Sequence, residues 1–179
     1  MSDAYSPIPE LNRLKEFEER CGREHYANGF ELVEFGRRSG ADTYSEEQEF
    51  VDSFLCFARA NRSGSDYAFW RVDDREDLAT LPVVVFGDEG GICVVAGNLR
   101  DLFRQLGCDW WQWPSWETAT FMEPELDDKP SPRHGDYLEW LNENFGLTPP
   151  DNPNELRHVA VGEFGALLES WVDRFYEDE

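Results

Sequence analysis

The sequence predicts an α+β fold: a single domain with a central antiparallel sheet and helices packed around it at the N- and C-terminal ends. Two observations lead to this prediction. Short β-branched and aromatic runs separated by Gly, Ser and Asp fill the middle of the chain, and apolar residues at helical spacing occupy its two ends. Such segregation of strands from helices is typical of α+β proteins. Because 179 residues suffice for one sizeable core, we expect residues 1–179 to form one domain.

The first helix is predicted over Pro9–Cys21. Proline is favoured in the first turn of a helix, and the apolar residues that follow it have helical spacing. These residues are Leu11, Leu14, Phe17 and Cys21, and Gly22 then supplies a stop. The short apolar run Phe30–Phe35 precedes the turn-rich segment GRRSGAD and predicts a strand.

A short helix and a hairpin are predicted next. Ser45 and Gln48 have the spacing of a capping box, which predicts a helix that ends at Asp52. The segment FLCFARAN has two interpretations, because its phenylalanines fit a helix face while its alternation fits a strand. The SGSD turn that follows it and the aromatic run YAFWRV favour a hairpin, so we predict two strands here.

The stretch LPVVVFGDEGGICVVAGNLRDLFRQLG predicts a strand, a turn, a strand and a helix. The runs Leu81–Phe86 and Ile92–Ala96 are β-branched and apolar, and the glycines of GDEGG permit a tight reversal between them. Asn98 is a favourable N-cap for a helix over Leu99–Leu106, and Gly107 occupies the position of a C′ glycine.

Two more helices are predicted in the C-terminal third. Apolar residues from Tyr137 to Phe145 form one helix face that ends at Gly146, and the segment TPPDNPN then breaks the chain. The apolar stripe of the last helix consists of Phe164, Leu167, Leu168, Trp171, Val172 and Phe175. The segment Glu123–Arg133 contains three prolines and is predicted to be a loop.

The charge of the chain restricts its partners. Its 38 acidic and 16 basic residues give a formal net charge of -22, which repels phosphate backbones and anionic lipid. We therefore expect neither nucleic acid nor a membrane surface as a partner, whereas a basic protein would be attracted. Acidity that only maintains solubility is the alternative. Without a signal-peptide pattern or the roughly 20 apolar residues needed to span a bilayer, we expect a cytoplasmic protein.

No pattern of metal ligands or cofactor-binding residues is present, so we expect neither a metal nor a cofactor. The four cysteines form no CxxC pair, and the three histidines are far apart without HExxH spacing. Asp88 and Glu89 in GDEGG could act as an acid–base pair, but polar residues are also preferred at an exposed turn. We favour the turn, and since no GxSxG or phosphate-binding glycine motif occurs, we predict that the protein is not an enzyme.

The most unusual segment is CDWWQWPSWETATFMEPELDD, which we place outside the sheet in an irregular region. It contains four of the seven tryptophans and no basic residue. Such a cluster could cover the core or form a recognition surface, because tryptophan is enriched at protein interfaces. Our predicted partner-binding residues are Asp109, Trp110, Trp111, Trp113, Trp116, Glu117, Asp88 and Glu89.

Three segments in order, SGSDYAFWRVDD, LPVVVFGDEGG and CVVAGNLRDLFRQL, resemble the SUKH superfamily over about Phe54 to Leu106. The matching positions are Ser63, Gly64, Ser65, Tyr67 and Trp70 in the first segment and Pro82, Gly87, Glu89 and Gly90 in the second. The resemblance implies one SUKH-like α+β domain without catalysis, in which motif residues are structural and the partner-binding surface varies between members.

The resemblance also implies a bacterial immunity protein that neutralises a cognate toxin. Together with the acidic charge and the tryptophans, it predicts a basic partner, such as a nuclease-type toxin domain, bound through charge and aromatic complementarity. The alternative is a non-catalytic regulatory or scaffold adaptor of the same fold, which would bind several partners weakly. The sequence does not indicate an oligomeric state.

Overall fold

A computed structural model describes residues 4–38 and 40–176. The helices are α1 Pro9–Cys21, α2 Gln48–Asp52, α3 Leu99–Leu106, α4 His134–Phe145 and α5 Pro153–Asp173. The strands are β1 Glu31–Arg37, β2 Phe54–Arg59, β3 Asp66–Trp70, β4 Val83–Phe86, β5 Ile92–Ala96, β6 Trp111–Pro114 and β7 Ala119–Met122. The predicted α+β fold, with one central antiparallel sheet and helices at both ends of the chain, is confirmed.

The central sheet has five strands in the order β1-β2-β3-β4-β5, each antiparallel to its neighbour. Both faces are buried, because alternate residues of β3 contribute to two different core clusters: Tyr67 and Phe69 to one, Ala68 and Trp70 to the other. Helices α1, α3 and α4 cover the first face, and α2 and α5 cover the second. The protein is therefore a three-layer single domain.

The local patterns located α1 and α3 correctly. Leu11, Leu14, Phe17 and Cys21 are all buried on α1. The Asn98 side chain caps α3 by accepting a hydrogen bond from the backbone N–H of Asp101 at 2.8 Å. None of the helices in residues 4–38 and 40–176 is both long and apolar enough to cross a membrane.

The predicted capping box at α2 is wrong. Glu47 is the N-cap and its side chain makes no capping bond, while the Ser45 hydroxyl accepts from the backbone N–H of Glu47 at 3.2 Å. Gly107 also differs from the prediction, since its φ of −63° is right-handed. A Cβ there would lie 2.9 Å from Cβ of Pro149, so close packing explains the glycine.

The last helix begins earlier than expected, inside the segment predicted to be a breaker. Asn152 caps α5 by accepting from the backbone N–H of Asn154 at 2.9 Å, and Pro153 is compatible with the first helical position. Its buried residues include Phe164 and Leu168. Leu167, which we assigned to the apolar stripe, is exposed instead.

Candidate protein-binding surface

The tryptophan-rich segment is a two-stranded antiparallel ribbon, β6–β7, and not an irregular region. Its inner face packs on the core through Gln112, Ala119 and Phe121, all of which are buried. The amide of Gln112 donates to the hydroxyl of Tyr67 at 3.2 Å. Because successive side chains of a strand point to opposite faces, Trp111 and Trp113 point away from the face that packs on the core.

The outer face of this ribbon, here called the ribbon face, is formed by Trp111, Trp113, Thr120 and Met122. Trp111 pairs with Met122 and Trp113 pairs with Thr120 across the two strands. Trp113 is 66% exposed and Met122 is 50% exposed. Trp111 is half-buried, and the guanidinium of Arg62 lies 5.6 Å from the centre of its ring. The ribbon face is thus a solvent-facing apolar surface on a fixed backbone.

Helix α5 holds the ribbon in place through its first turns. The side-chain amide of Asn154 accepts from the backbone N–H of Phe121 at 2.9 Å and donates to its carbonyl at 2.9 Å. The Asn154 side chain thus satisfies the backbone N–H and the carbonyl of Phe121, as a neighbouring strand would do in a sheet. Arg157 adds a bond from Nη1 to the Thr118 hydroxyl at 2.9 Å. Sequence reasoning missed both residues, since nothing local distinguishes them from ordinary polar positions on a helix.

The two motif segments of the central sheet meet at the GDEGG turn. The Ser65 hydroxyl donates to Oδ1 of Asp88 at 2.9 Å and accepts from the backbone N–H of Asp88 at 3.1 Å. The carbonyl oxygen of the Asn61 side chain in turn accepts from the backbone N–H of Ser65 at 3.0 Å. Asp88 therefore ties the β4–β5 turn to the β2–β3 turn, although its side chain remains exposed.

Trp116 lies directly against the same turn. Gly90 has φ of +115°, and a Cβ there would lie 2.2 Å from Cζ2 of Trp116. Gly91 has φ of +91°, and its Cβ would lie 2.5 Å from the carbonyl oxygen of Ser115. The glycines thus satisfy both the backbone geometry of the turn and its close contact with the β6–β7 turn.

Two of the eight predicted partner-binding residues have internal roles. Asp109 is 7% exposed, and its carboxylate accepts from the backbone N–H of Asn28 at 2.9 Å and from the backbone N–H and hydroxyl of Ser131 at 2.8 Å each. It anchors two loops to the start of the ribbon. Trp110 is half-buried against the main core. Neither residue belongs to the exposed surface.

Four of the other six predicted residues come together at one groove, while Trp111 and Trp113 lie on the ribbon face. Asp88, Glu89, Trp116 and Glu117 border a single groove between the GDEGG turn, the β6–β7 turn and α5. Trp116 is 73% exposed, and both Glu89 and Glu117 are exposed. Further exposed carboxylates follow β7 in the chain: Glu123, Glu125, Asp127 and Asp128. Carboxylates therefore border the groove beside Trp116, whereas the guanidinium of Arg62 lies beside Trp111.

The side chains at this surface differ in the chemistry they can support. Burial raises the pKa of the Cys93 thiol to about 11, so at neutral pH it is protonated and a poor nucleophile. Among residues 4–38 and 40–176, no group of three or more His, Cys, Asp or Glu side chains is placed to hold a metal ion. Large rings and carboxylates, in contrast, are typical components of protein interfaces with basic partners.

No protein-family model matches the chain, and neither does any curated protein or solved structure.

Proposed function

We propose that this chain is an immunity protein that binds and neutralises one cognate bacterial toxin with a basic, nuclease-type domain. The observation that carries the proposal is the exposure of Trp113 and Trp116 on a ribbon whose other face is locked to the core. A folded chain gains nothing from exposing indole rings to water, whereas a partner that covers them gains their burial. Such a protein would act in the cytoplasm, where the substrate of a nuclease lies.

Burial of the exposed tryptophan rings by a partner would contribute substantially to the free energy of binding. Aromatic side chains bury roughly 150–250 Å² each, so covering each exposed ring would contribute on the order of 2–4 kcal/mol. The ribbon is preorganised by Asn154 and Arg157, which lowers the entropy lost on binding. Rigid aromatic residues on a fixed backbone are common hot spots of protein interfaces.

The electrostatics select a basic partner. With a net charge of -22, the molecule attracts cationic proteins and repels polyanions. A nuclease domain has a positive surface for its own substrate, and an acidic inhibitor can occupy that surface in place of nucleic acid. The charge thus favours a nucleic-acid-binding toxin over other partners.

The internal roles of the motif residues support the SUKH resemblance as part of this proposal. Two of the matching positions, Ser65 and Gly90, maintain the junction between the two turns, Ser65 through its hydrogen bonds to Asp88, and the resemblance implies structural roles for the motif positions. The ribbon lies outside the segment that carries the resemblance. A partner surface that varies between family members would be expected in such a region.

Affinity capture followed by a neutralisation assay tests the proposal. The tagged protein is incubated with lysate of its own cells at low salt, and retained proteins are identified by mass spectrometry. We expect one basic toxin domain, whose purified activity is abolished by one equivalent of the protein but not by Trp113→Ala. The matched control is Val159→Ala, which removes an equally exposed apolar side chain from α5.

Two outcomes would contradict the proposal. Several weakly held partners, retained equally by the wild type and both variants, would favour the adaptor function. A turnover activity lost in Asp88→Ala and Glu89→Ala with the fold intact would favour an enzyme.

A further inference from the structure

The groove bordered by Asp88, Glu89, Trp116 and Glu117, here called the turn groove, has a volume of about 1070 Å³. Residues of the GDEGG turn, β5, the β6–β7 turn and α5 line it. Apolar side chains from β5 and α5 line its interior: Ile92, Val94, Val161, Leu168 and Val172. Its size is at the upper end of the roughly 300–1,000 Å³ typical of ligand pockets, so it can accept a short peptide segment.

The rim of the turn groove carries only one sign of charge. The carboxylate residues that line it are Asp88, Glu89, Glu117, Glu169 and Asp173. Among the lining residues that the structure describes, none is Lys, Arg or His. Within residues 4–38 and 40–176, none of these carboxylates forms an ion pair. Carboxylates that border one groove without a compensating cation produce a negative potential there, which would stabilise a cationic side chain.

Hydrogen bonds connect the walls of the turn groove. The Tyr44 hydroxyl donates to the carbonyl of Gly91 at 2.9 Å, and the Tyr176 hydroxyl donates to the carbonyl of Tyr44 at 3.2 Å. Burial raises the pKa of Tyr44 to about 12, so its hydroxyl remains a donor at neutral pH. The GDEGG turn is therefore linked through Tyr44 to Tyr176, which follows the C-terminal end of α5.

We infer that the turn groove binds an extended, arginine- or lysine-bearing segment of the partner protein, as a second contact beside the ribbon face. This inference rests on the proposed function in taking the partner to be a basic protein. Arginine and lysine bury their aliphatic stems on apolar surface while their charged ends reach carboxylates, which matches an apolar interior with an acidic rim. The exposed ring of Trp116 adds a surface on which a guanidinium can stack.

A peptide titration tests the inference. The probe is the blocked hexapeptide Val-Arg-Val-Arg-Val-Arg, added to the full chain at low salt and followed by calorimetry and tryptophan fluorescence. The groove variant is the double substitution Glu169→Gln with Asp173→Asn. The control is Glu139→Gln with Glu143→Gln, which removes the same charge from exposed positions of α4.

We expect saturable binding to the wild type, a loss of at least tenfold in the groove variant and a change of less than twofold in the control. Absence of saturable binding, or equal losses in both double variants, would overturn the inference. Spermidine that displaces the peptide at equal concentration would also overturn it, because the site would then be one for polyamines.

The two proposals fail in different ways. Trp113→Ala should retain peptide binding while losing neutralisation of the toxin, because it leaves the turn groove intact. If the peptide does not bind but neutralisation still depends on Trp113, the groove inference fails and the proposed function stands. If the peptide binds the groove but no toxin is neutralised by the wild type, the proposed function fails and the groove inference stands.

Discussion

Two pairs of tryptophans in this protein contrast in their exposure. Trp70 and Trp140 are 2% and 5% exposed, whereas Trp113 and Trp116 are 66% and 73% exposed. Trp140 lies on α4 with ring centres of Phe17 and Phe103 at 5.6 Å each, so neighbours surround it. The ring of Trp113 extends instead from the outer face of a ribbon whose inner face alone contacts the core.

This difference in exposure distinguishes tryptophans that stabilise the fold from tryptophans whose rings are accessible to a partner. A buried ring contributes packing and hydrophobic stabilisation, and its loss creates a cavity. An exposed ring contributes little to folding but supplies a large part of the binding free energy when a partner covers it. Substitutions in the two pairs should therefore affect stability and binding differently.

Trp140→Ala should lower the free energy of unfolding by about 3–5 kcal/mol, because it removes a ring enclosed by aromatic neighbours. Trp113→Ala should change the same quantity by less than about 0.5 kcal/mol, as is usual for surface substitutions. Urea denaturation followed by far-UV circular dichroism measures both. Comparable losses in the two variants would show that the ribbon tryptophan belongs to the core.

Trp113→Ala should weaken binding to the captured toxin by more than about 2 kcal/mol, roughly a 30-fold rise in Kd. Trp111→Ala should also weaken it, by a smaller amount, because Trp111 is already half-buried. Calorimetric titration measures the effect, with Val159→Ala as the matched exposed control. Normal binding by both tryptophan variants would remove the ribbon face from the interface.

Gly90→Ala should destabilise the protein by about 1–3 kcal/mol, since a side chain at φ of +115° is strained and would overlap Trp116. Gly135→Ala in α4 is the control, because a Cβ there has no neighbour within 4 Å. Thermal denaturation of both variants measures the difference. A neutral Gly90→Ala would mean that Trp116 does not pack on the turn.

The smallest effect concerns Glu18, which accepts hydrogen bonds from the Tyr26 hydroxyl at 2.6 Å and the backbone N–H of Leu32 at 3.0 Å. Burial raises the pKa of this carboxyl in the folded state, and these two hydrogen bonds partly offset the rise. The folded state therefore binds the proton more tightly than the unfolded chain. The stability that this group contributes is present below its unfolded pKa of about 4.3 and is lost as pH rises through the higher folded value.

Glu18→Gln should accordingly gain stability relative to the wild type as pH rises above about 4.3, and the gain should level off once the folded carboxyl is ionised. Urea denaturation at a series of pH values measures this difference, with the exposed Glu19→Gln as control. If the difference in unfolding free energy between Glu18→Gln and the wild type is constant with pH, or changes in the opposite direction, the pKa of Glu18 is not raised in the folded state.

The parts of the fold that the sequence predicted are those specified by local patterns. The N-terminal proline and apolar spacing of α1, and the Asn98 cap of α3, depend only on residues within a few positions of one another. The β4–β5 hairpin was likewise predictable from the glycines between two β-branched runs.

The ribbon was missed although Trp111, Gln112 and Trp113 alternate as a strand does, because four positions are too few to outweigh Pro114 and the polar residues around it. The internal role of Asp109 depends on Asn28 and Ser131, which are 81 and 22 residues away in the chain. Asn154 and Arg157 hold the ribbon through contacts with residues 33 and 39 positions away in the chain. Such tertiary pairings leave no local signal, so composition could indicate an acidic aromatic surface but not which of its residues are exposed.

Whether charge and the exposed ring together dock a basic protein can be measured from the association and dissociation rates with the captured toxin, at about 0.05 to 0.5 M salt, for the wild type and Trp113→Ala. We predict an association rate that falls steeply with salt in both proteins, because the acidic surface attracts the partner, and a much faster dissociation in the variant, because the ring anchors the complex. An association rate independent of salt, together with unchanged dissociation of the variant, would contradict the claim that this acidic, tryptophan-bearing surface is the docking face for a basic protein.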